Sequence, residues 1–412
     1  MTPSFGGDLV GSLILFIIHL APLWLPIVVF VVGWHMWVRY VRTAYLASLK
    51  WTLLEVRIPK DVWKTPVAME MVLSTAFHQT GGVATWVKRY WEGKLLQWFS
   101  LEIVSIEGKV FFFIRVPTPF KQLVEAQIYA QYPQAEINEV EDYTLRLPPH
   151  VRDGDFGLWG TEFELAAPDP VPIKTYVDYG LDKGTSLEPE QQIDPITPLL
   201  EFMGSIGKGE QIWFQIMVRA TPKRFLKKGT STEYEEIKDV AKAKIKEIIK
   251  NGMLKGDEDE EGRTLNLTPG QKDLIAAIER NMDKLQFDCG MRAVYIAEKD
   301  RFNDMAGPGI LASVKQYNSA NKNGFKPKNA TDFDYPWQKL FPAELTRKRV
   351  KMWNAYRLRS YFYYPYNKGK KPMVLSSEEL ATIYHFPSRV AETPSFSRIE
   401  SKKAEPPMNL PV

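Results

Sequence analysis

The longest apolar segment of the sequence runs from Leu9 to Val38 and contains no Asp, Glu, Lys or Arg. An α-helix needs roughly 20 apolar residues to cross a hydrocarbon core about 30 Å thick. A segment of 30 residues is long enough to cross once, with tilt or a kink. The pattern therefore predicts a transmembrane helix within a membrane anchor at residues 1–42.

Aromatic and basic residues follow this segment at its C-terminal end. Trp34, Trp37 and Tyr40 are of the types enriched at membrane–water interfaces, and Arg39 and Arg42 lie among them. The residues before the segment include no Lys or Arg. Because positive charge is retained on the cytoplasmic side, we predict that the chain crosses the membrane once, with an outside N-terminus and a cytoplasmic body. These five residues are expected at the interface.

Two other readings of the apolar segment compete with a single span. A cleaved signal peptide needs a positive start and a shorter apolar core, which this segment does not have. A re-entrant hairpin turning between Ala21 and Pro26 is the stronger alternative, since proline is tolerated inside membranes. Two full crossings would need about 40 apolar residues, so a full helical pair is not expected.

Residues 43–150 show the pattern β-α-β-β-α-β, which is the ferredoxin-like arrangement. The predicted strands are Trp51–Ile58, Trp98–Ser105, Val110–Val116 and Ala135–Val140. Thr65-Pro66 and Thr118-Pro119 are each expected to open a helix, because threonine caps helix starts and proline suits the first helical position. Glu107-Gly108 is a plausible pair for the tight turn between the two middle strands.

A weaker second copy, with a helical insertion, is expected in residues 151–335. The predicted strands are Phe163–Ala167, Ile173–Val177, Gln211–Ala220 and Ala293–Ala297. Thr197-Pro198 again opens a helix, and Thr232 with Glu235 and Thr268 with Gln271 have the spacing of capping boxes. The similarity of the segments after Gly108 and Gly207 is a further hint of duplication.

The remaining sequence is predicted to be a basic, aromatic, helical segment at 336–391 and a Pro-rich tail or linker at 392–412. Glu344–Arg359 is expected to form a basic helix, and Ser376 with Glu379 to cap a last short helix. The predicted fold class is therefore α+β: an N-terminal transmembrane helix, tandem ferredoxin-like units and a helical C-terminal segment.

Composition narrows the class of protein without identifying it. The chain has 412 residues, a formal net charge of +4 and a single cysteine, Cys289. One cysteine excludes a disulfide framework and a multi-cysteine metal site within one chain. A net charge this small does not indicate general nucleic-acid binding, so the distribution of charge matters more than its sum.

Catalytic signatures are not found in the sequence. Gly-Lys pairs occur at 93–94, 108–109, 207–208 and 369–370, but none is followed by the Ser or Thr of a P-loop. The five histidines are isolated, and Cys289 has no basic neighbour to activate it. We therefore expect no enzyme activity and no cofactor.

Basic and aromatic residues are concentrated between Lys339 and Lys371, where Glu344 is the only acid. The ten basic residues are Lys339, Arg347, Lys348, Arg349, Lys351, Arg357, Arg359, Lys368, Lys370 and Lys371. Aromatic residues such as Trp353 and Tyr356 lie among them. Cationic groups with stacking rings are typical of single-stranded nucleic-acid sites. An anionic lipid surface, an acidic protein partner or a solvated basic helix on a folded core would give the same pattern.

Two stretches of sequence resemble a known family. The run SSEELATIYHFPSRVAETPSFSRIESKKAEPPMNLPV at 376–412 is similar to the connector before the ATPase core in HerA-like and conjugative coupling-type ATPases. Residues 51–143, with LLEVRIPKD, SLEIVSIEGKVFFFIRVP and AQIYAQYPQAEI, resemble the membrane-anchored N-terminal part of the same proteins, in the version found in type IV secretion-like systems of candidate-phylum bacteria. The chain ends where that ATPase core would begin.

The resemblance implies a non-enzymatic accessory module of a DNA-translocation machine in the inner membrane. Its expected partners are the lipid bilayer, a separate P-loop ATPase, single-stranded DNA and further copies of the chain. A membrane-tethered oligomeric scaffold with no nucleic-acid role is a second hypothesis, and an unrecognised enzyme with dispersed catalytic residues is a third.

Overall fold

A computed structural model describes residues 15–16, 18–59, 64–79, 85–147, 156–182, 193–221, 225–226, 234–253, 267–332, 342–366 and 371–387. The chain divides into two compact units. The first comprises Met1–Leu49 and Gly81–Leu96, and the second comprises Lys50–Thr80 and Gln97–Val412.

The helices are numbered in chain order. They are α1 Ala21–Ser48, α2 Pro66–Val72, α3 Trp86–Tyr90, α4 Lys121–Gln131, α5 Thr197–Gly204, α6 Ile237–Met253, α7 Pro269–Asp283, α8 Ala306–Val314, α9 Pro342–Arg357 and α10 Ser377–Ile383. A π-helical turn, Leu73–Phe77, continues α2. Short 3-10 helices lie at Thr118–Phe120, Tyr143–Arg146, Lys299–Arg301 and Lys315–Tyr317.

The strands are numbered in the same way. They are β1 Trp51–Arg57, β2 Phe99–Ile106, β3 Lys109–Pro117, β4 Glu136–Val140, β5 Phe156–Leu165, β6 Glu210–Ala220, β7 Phe225–Leu226, β8 Tyr234–Glu235, β9 Gln286–Glu298, β10 Phe325–Lys328 and β11 Met373–Ser376. Nine of these described strands form one sheet, and β7 pairs with β8 separately.

In the first unit, α1 is a continuous helix of 28 residues. It passes through Pro22 and Pro26, and the amides of Leu23 and Trp24 both donate to the carbonyl of Leu20. The re-entrant turn considered for residues 21–26 is therefore not present. Among the described residues, α1 is the one helix long and apolar enough to cross a membrane, and none of its most apolar window is buried.

In the second unit, the large sheet has the strand order β10-β5-β9-β6-β2-β3-β1-β4, and every pairing in it is antiparallel. The short strand β11 pairs with the first part of β9, ahead of the part that pairs with β5. The strands predicted in two separate domains thus form a single sheet, joined where β2 pairs with β6. Residues of the predicted C-terminal segment belong to the same unit and supply β11.

Each face of the sheet buries its own apolar cluster, because side chains alternate between the faces along a strand. On β6, Ile212, Phe214 and Ile216 point into the larger cluster, which also contains residues of α2, α4, α5, α8 and α10. Trp213 of the same strand belongs to the second cluster, which is covered by α9. A third, smaller cluster joins α6 to α7.

Local signals in the sequence agree with several elements and fail at others. The turn between β2 and β3 has positive φ at both Glu107 (53°) and Gly108 (81°), the backbone of a type I′ hairpin turn. By contrast, Ile173–Val177 is irregular rather than a strand, since the amides of Ile173 and Tyr176 bond to side chains of α10. The tail at 392–412 and Thr232 lie outside the described residues.

Candidate functional site

The predicted interface residues lie on consecutive turns of α1. Trp37, Arg39 and Tyr40 are exposed, whereas Trp34 and Arg42 are half-buried. The ring of Trp37 lies 6.2 Å from that of Tyr40. The structure therefore brings the aromatic and basic residues together as one band around the C-terminal half of the helix.

A second element that the sequence reading left undefined packs against this band. The short helix α3 places Trp86 in a stacked contact with Trp34, with ring centroids 5.9 Å apart. Trp91, which follows α3, lies 5.1 Å from Trp37, and the indole N–H of Trp37 donates to the carbonyl of Tyr90 at 3.1 Å. The sequence signal that could have indicated it is the run Trp86–Trp91 (WVKRYW), in which two basic residues lie between aromatic residues.

The described basic residues of the segment at 336–391 differ in their exposure. Arg347, Lys351 and Lys371 are exposed, and Lys348, Arg349 and Arg357 are half-buried. Burial lowers the pKa of Arg349. Lys339, Lys368 and Lys370 lie outside the described residues.

Three of the predicted contact residues belong to the core instead. Trp353, Tyr356 and Arg359 are 2%, 0% and 1% exposed. Trp353 stacks on Trp213 of β6 with ring centroids 5.5 Å apart. The structure therefore encloses these three side chains in the interior, a placement that the density of basic and aromatic residues in the sequence did not indicate.

Arg359 forms the centre of a buried ionic network. Its Nε donates to Glu102 Oε1 at 2.9 Å and its Nη2 to Glu102 Oε2 at 3.1 Å. The same guanidinium also donates to both carboxylate oxygens of Asp142. Glu102 further accepts from the hydroxyl of Tyr143 at 2.7 Å and from Gln215 at 3.0 Å. A bidentate pair with every carboxylate oxygen occupied is the arrangement that a buried charge requires.

The pKa values in this network favour the ion pair. Burial raises the pKa of Glu102, but the charge and hydrogen bonds of Arg359 more than offset this and leave it below its usual value. Burial lowers the pKa of Arg359. The negative charge of Glu102 more than offsets this and leaves the pKa of Arg359 well above its usual value. Burial raises the pKa of Tyr143 and Tyr356 well above the ordinary tyrosine value. The network is thus charged at Glu102 and Arg359 and neutral at its tyrosines.

This network is part of a polar row that crosses the sheet in register. Glu162 pairs with Arg292, Arg292 with Gln215, and Gln215 with Glu102 on successive strands β5, β9, β6 and β2. Arg292 is 0% exposed and donates through Nη2 to the carbonyl of Ser360 at 2.9 Å. Its Nε and Nη1 have no hydrogen-bond partner in the part of the chain described. A buried donor without a partner lowers the free energy of unfolding by about 1–3 kcal/mol, so this row carries a cost in stability.

A second group of buried acids ties α10 to the rest of the second unit. Glu70 accepts from the hydroxyls of Tyr176 (2.5 Å) and Ser377 (3.0 Å). Glu379 accepts from the amides of Ile173 (2.9 Å) and Ser376 (2.8 Å). Burial raises the pKa of Glu379 to about 7, against the effect of those two amides. These contacts join the C-terminal helix to segments about 200 and 300 residues away.

The remaining candidates for chemistry have structural partners. His385 bonds to Asp194 at 2.8 Å and to the carbonyl of Ala381, and all of these lie in the interior. Cys289 is fully buried, and burial raises the pKa of its thiol well above the usual value. Within the described ranges, no three His, Cys, Asp or Glu side chains are grouped so as to hold a metal ion.

Comparison with known proteins gives a family but no activity. No curated protein matches the chain. A family profile described as "Domain of unknown function (DUF8128)" matches residues 46–398, which includes the whole sheet and both buried networks. The chain therefore belongs to the DUF8128 family.

Proposed function

We propose that this protein is a membrane-anchored accessory module that positions its sheet-containing unit beside a partner. The observation that carries the proposal is α1, a 28-residue apolar helix whose most apolar window has no buried residue. Soluble monomers rarely expose a contiguous apolar surface of that size, and such surfaces mark interaction with a membrane or a protein. The aromatic and basic band near one end of α1 favours a membrane.

A non-enzymatic role is part of the proposal. The acids and bases with strongly shifted pKa values serve packing: Glu102 and Arg359 pair with each other, and Glu379 accepts backbone amides. An active site instead needs perturbed groups that face a cleft. Glu102, Arg359 and Glu379 are each at most 1% exposed, so these groups do not face a cleft.

We further propose that the second unit contains two ferredoxin-like repeats. Strands β1 to β4 have the order β4-β1-β3-β2, and strands β5, β6, β9 and β10 have the corresponding order β10-β5-β9-β6. Each set also follows the pattern strand, helix, two strands, helix, strand, with α6 and α7 inserted in the second. This shared topology supports duplication, with the two copies joined edge to edge through β2 and β6.

The resemblance to HerA-like and coupling-type ATPases suggests the partner, a separate P-loop ATPase of a DNA-translocation machine. Cross-linking in intact cells, followed by purification of this chain from membranes and mass spectrometry, tests the proposal. We expect a P-loop ATPase among the cross-linked proteins. Repeated recovery of this chain alone would contradict an ATPase partner and favour the scaffold hypothesis.

Among the described basic residues of the segment at 336–391, Arg347, Lys351 and Lys371 are exposed, and the first two lie on α9. We propose that Arg347 and Lys351, one helical turn apart and both exposed, contact the phosphates of single-stranded DNA. Each phosphate contact contributes about 0.7 to the slope of log affinity against log salt. The variant R347Q/K351Q should lower that slope by about 1.4, whereas K299Q, which removes an exposed lysine elsewhere, should not change it. An unchanged slope in R347Q/K351Q would contradict the contact.

The burial of Trp353, Tyr356 and Arg359 favours the second candidate function, a scaffold with no nucleic-acid role. The rings of Trp353 and Tyr356 are enclosed in the core, so these two rings do not stack on bases. Self-association would then be the main activity of the protein. Sedimentation of the detergent-solubilised chain distinguishes the two, since a scaffold should form oligomers without DNA or an ATPase.

A further inference from the structure

The short helix α3 belongs to the same compact unit as the apolar helix α1. Three aromatic contacts hold them together: Trp86 with Trp34, Tyr90 with Trp34, and Trp91 with Trp37, at centroid distances of 5.9, 5.8 and 5.1 Å. Behind α3, Gly93 has φ +68°, and a Cβ there would lie 2.4 Å from the carbonyl oxygen of Val41. Only a glycine lets the chain pass this close to α1.

Three apolar side chains in α3 and directly after it remain largely exposed, although two of them also contact α1. Trp86, Val87 and Trp91 are 59%, 52% and 61% exposed. Isolated exposed apolar residues need no explanation. Here, however, three of them lie within six positions and adjoin the apolar surface of α1, so they extend that surface sideways.

The ring contacts also fix the depth of α3 in a membrane. Residues 18–37, which run from just before α1 to Trp37, form about 20 positions, or about 30 Å of helix, the thickness of a hydrocarbon core. Trp34 and Trp37 then lie at the end of the core, where tryptophan is favoured. Because Trp86 and Trp91 lie within about one ring diameter of them, they must lie at the same depth.

Basic residues lie close in sequence to these aromatic residues, on both helices of the unit. Arg39 and Arg42 of α1 and Lys88 and Arg89 of α3 all lie in the same unit, and Glu92 is paired with Lys94 at 2.7 Å. The Nε of Arg42 is shielded from solvent and has no hydrogen-bond partner among the described residues. Basic residues at a membrane surface attract anionic lipid, by about 1 kcal/mol each.

We propose that α3 and Trp91 form a second membrane-binding element, which lies in the headgroup layer beside α1 and binds anionic phospholipid. This inference rests on the proposed function, because it requires α1 to span the bilayer. The aromatic residues would occupy the boundary of the hydrocarbon core, and the four basic side chains would contact lipid phosphates. The anchor would then consist of a spanning helix and a short helix in the membrane interface, and this pair would resist tilting better than a single spanning helix.

The test uses the full chain with one introduced cysteine carrying an environment-sensitive fluorophore. Cys289 is fully buried, and labelling of the unmodified protein measures its background. The labelled variants are V87C in α3, V29C in the apolar part of α1 and M305C, since all three native side chains are exposed. M305C is the comparison outside the first unit, since Met305 belongs to the second unit.

Each variant is reconstituted into vesicles of equal parts phosphatidylcholine and phosphatidylserine, and quenching by spin-labelled lipid is compared with quenching by aqueous iodide. We expect spin-labelled lipid to quench the label at V87C severalfold more than the label at M305C. Iodide should quench the label at V87C more than that at V29C and less than that at M305C. In phosphatidylcholine alone, lipid quenching at V87C should decrease, and K88Q/R89Q should remove this dependence on composition.

The outcomes separate this inference from the proposed function. If the V29C label is not quenched by lipid, α1 does not span the membrane and both fail. If V29C is quenched by lipid but V87C is quenched by iodide as strongly as M305C, only the membrane-binding role of α3 is overturned. A V87C label shielded from both quenchers would overturn it in favour of a protein partner on this surface.

Discussion

Arg359 occupies a left-handed backbone conformation, with φ 47°, at the C-terminal end of α9. The amide of Ser360 donates to the carbonyl of Ala355 and the amide of Arg359 to that of Tyr356, the pattern of a Schellman motif. Glycine usually holds this position because other residues are strained there. We infer that arginine is used because its side chain, turned back under the helix, reaches Glu102 and Asp142.

Replacing this arginine should destabilise the protein strongly. Arg359→Met leaves Glu102 buried without its counter-ion, and breaking a buried pair costs about 3–5 kcal/mol. Thermal unfolding of the detergent-solubilised chain measures the loss. The double variant R359M/E102Q should recover part of it, because the unpaired charge is gone, whereas R347Q at an exposed position should have little effect. A melting temperature for R359M equal to that of the unmodified protein would contradict the network.

Glu379 gives the second prediction for a single residue. An ordinary glutamate has a pKa of 4.5, and burial raises that of Glu379 in the folded state to about 7. Between these values the folded state binds more protons than the unfolded state, so the free energy of unfolding decreases as pH rises. The stabilising contribution is fully present below about 4.5 and is lost above about 7.

Unfolding midpoints measured across this pH range should therefore fall more steeply for the unmodified chain than for E379Q, which has no titrating group at this position. The glutamine also loses part of the capping contacts, so its stability should be lower at acid pH. Parallel pH curves for the two proteins would show that Glu379 titrates at its ordinary pKa.

At this scale the sequence revealed residue types but not their environments. Ten basic residues in one segment predicted a surface, yet Arg359 lies in the interior because its partner Glu102 is 257 positions away. Helical spacing alone could not place Trp353 and Tyr356 either, since the partner Trp213 belongs to a distant strand. Long-range pairing of this kind leaves no local signal.

Among the elements, those with strong end signals were predicted best. The helices α7 and α10 begin with the predicted capping boxes at Thr268 with Gln271 and Ser376 with Glu379. The hairpin of β2 and β3 turns at the predicted pair. In each case the signal is a hydrogen bond or a backbone conformation formed within four residues.

The two capping boxes should differ in their contribution to stability. Thr268→Ala removes an exposed cap and should cost about 1 kcal/mol, and T268S, which keeps the hydroxyl, should restore most of it. Ser376 is 1% exposed, and its hydroxyl both accepts from the amide of Glu379 and donates to its carboxylate. Because S376A leaves buried groups unsatisfied, it should be the more destabilising change in denaturant unfolding. A larger loss in T268A than in S376A would contradict this ranking.

Elements without such signals were predicted poorly. Ile173–Val177 has the composition of a strand, but its amides bond to Glu379 and Thr382 of α10, about 200 positions later. The helix α3 has only five residues, too few to show a helical period. Its position depends on ring contacts with α1, which are visible only in the structure.

At the scale of the whole molecule, the predicted α+β class and the N-terminal apolar helix are confirmed, but the boundary between two sheet domains is not seen. Both sets of strands form one antiparallel sheet. The edges of this sheet are short and charged. One edge, β4, carries Glu136 and Glu139, and the other, β10, carries Lys326, Pro327 and Lys328. Such edges disfavour strand addition, so we expect any self-association to use another surface.

The central claim is that α1 anchors the protein in a lipid bilayer, and sedimentation tests it most directly. Membranes from gently broken cells are collected by ultracentrifugation and washed with alkaline carbonate. Our account predicts that the intact chain remains in the pellet, and that V29R/V32R releases it, because each arginine costs about 2.5–3.5 kcal/mol at the centre of a spanning helix. Recovery of the intact, unmodified chain in the supernatant would contradict the account.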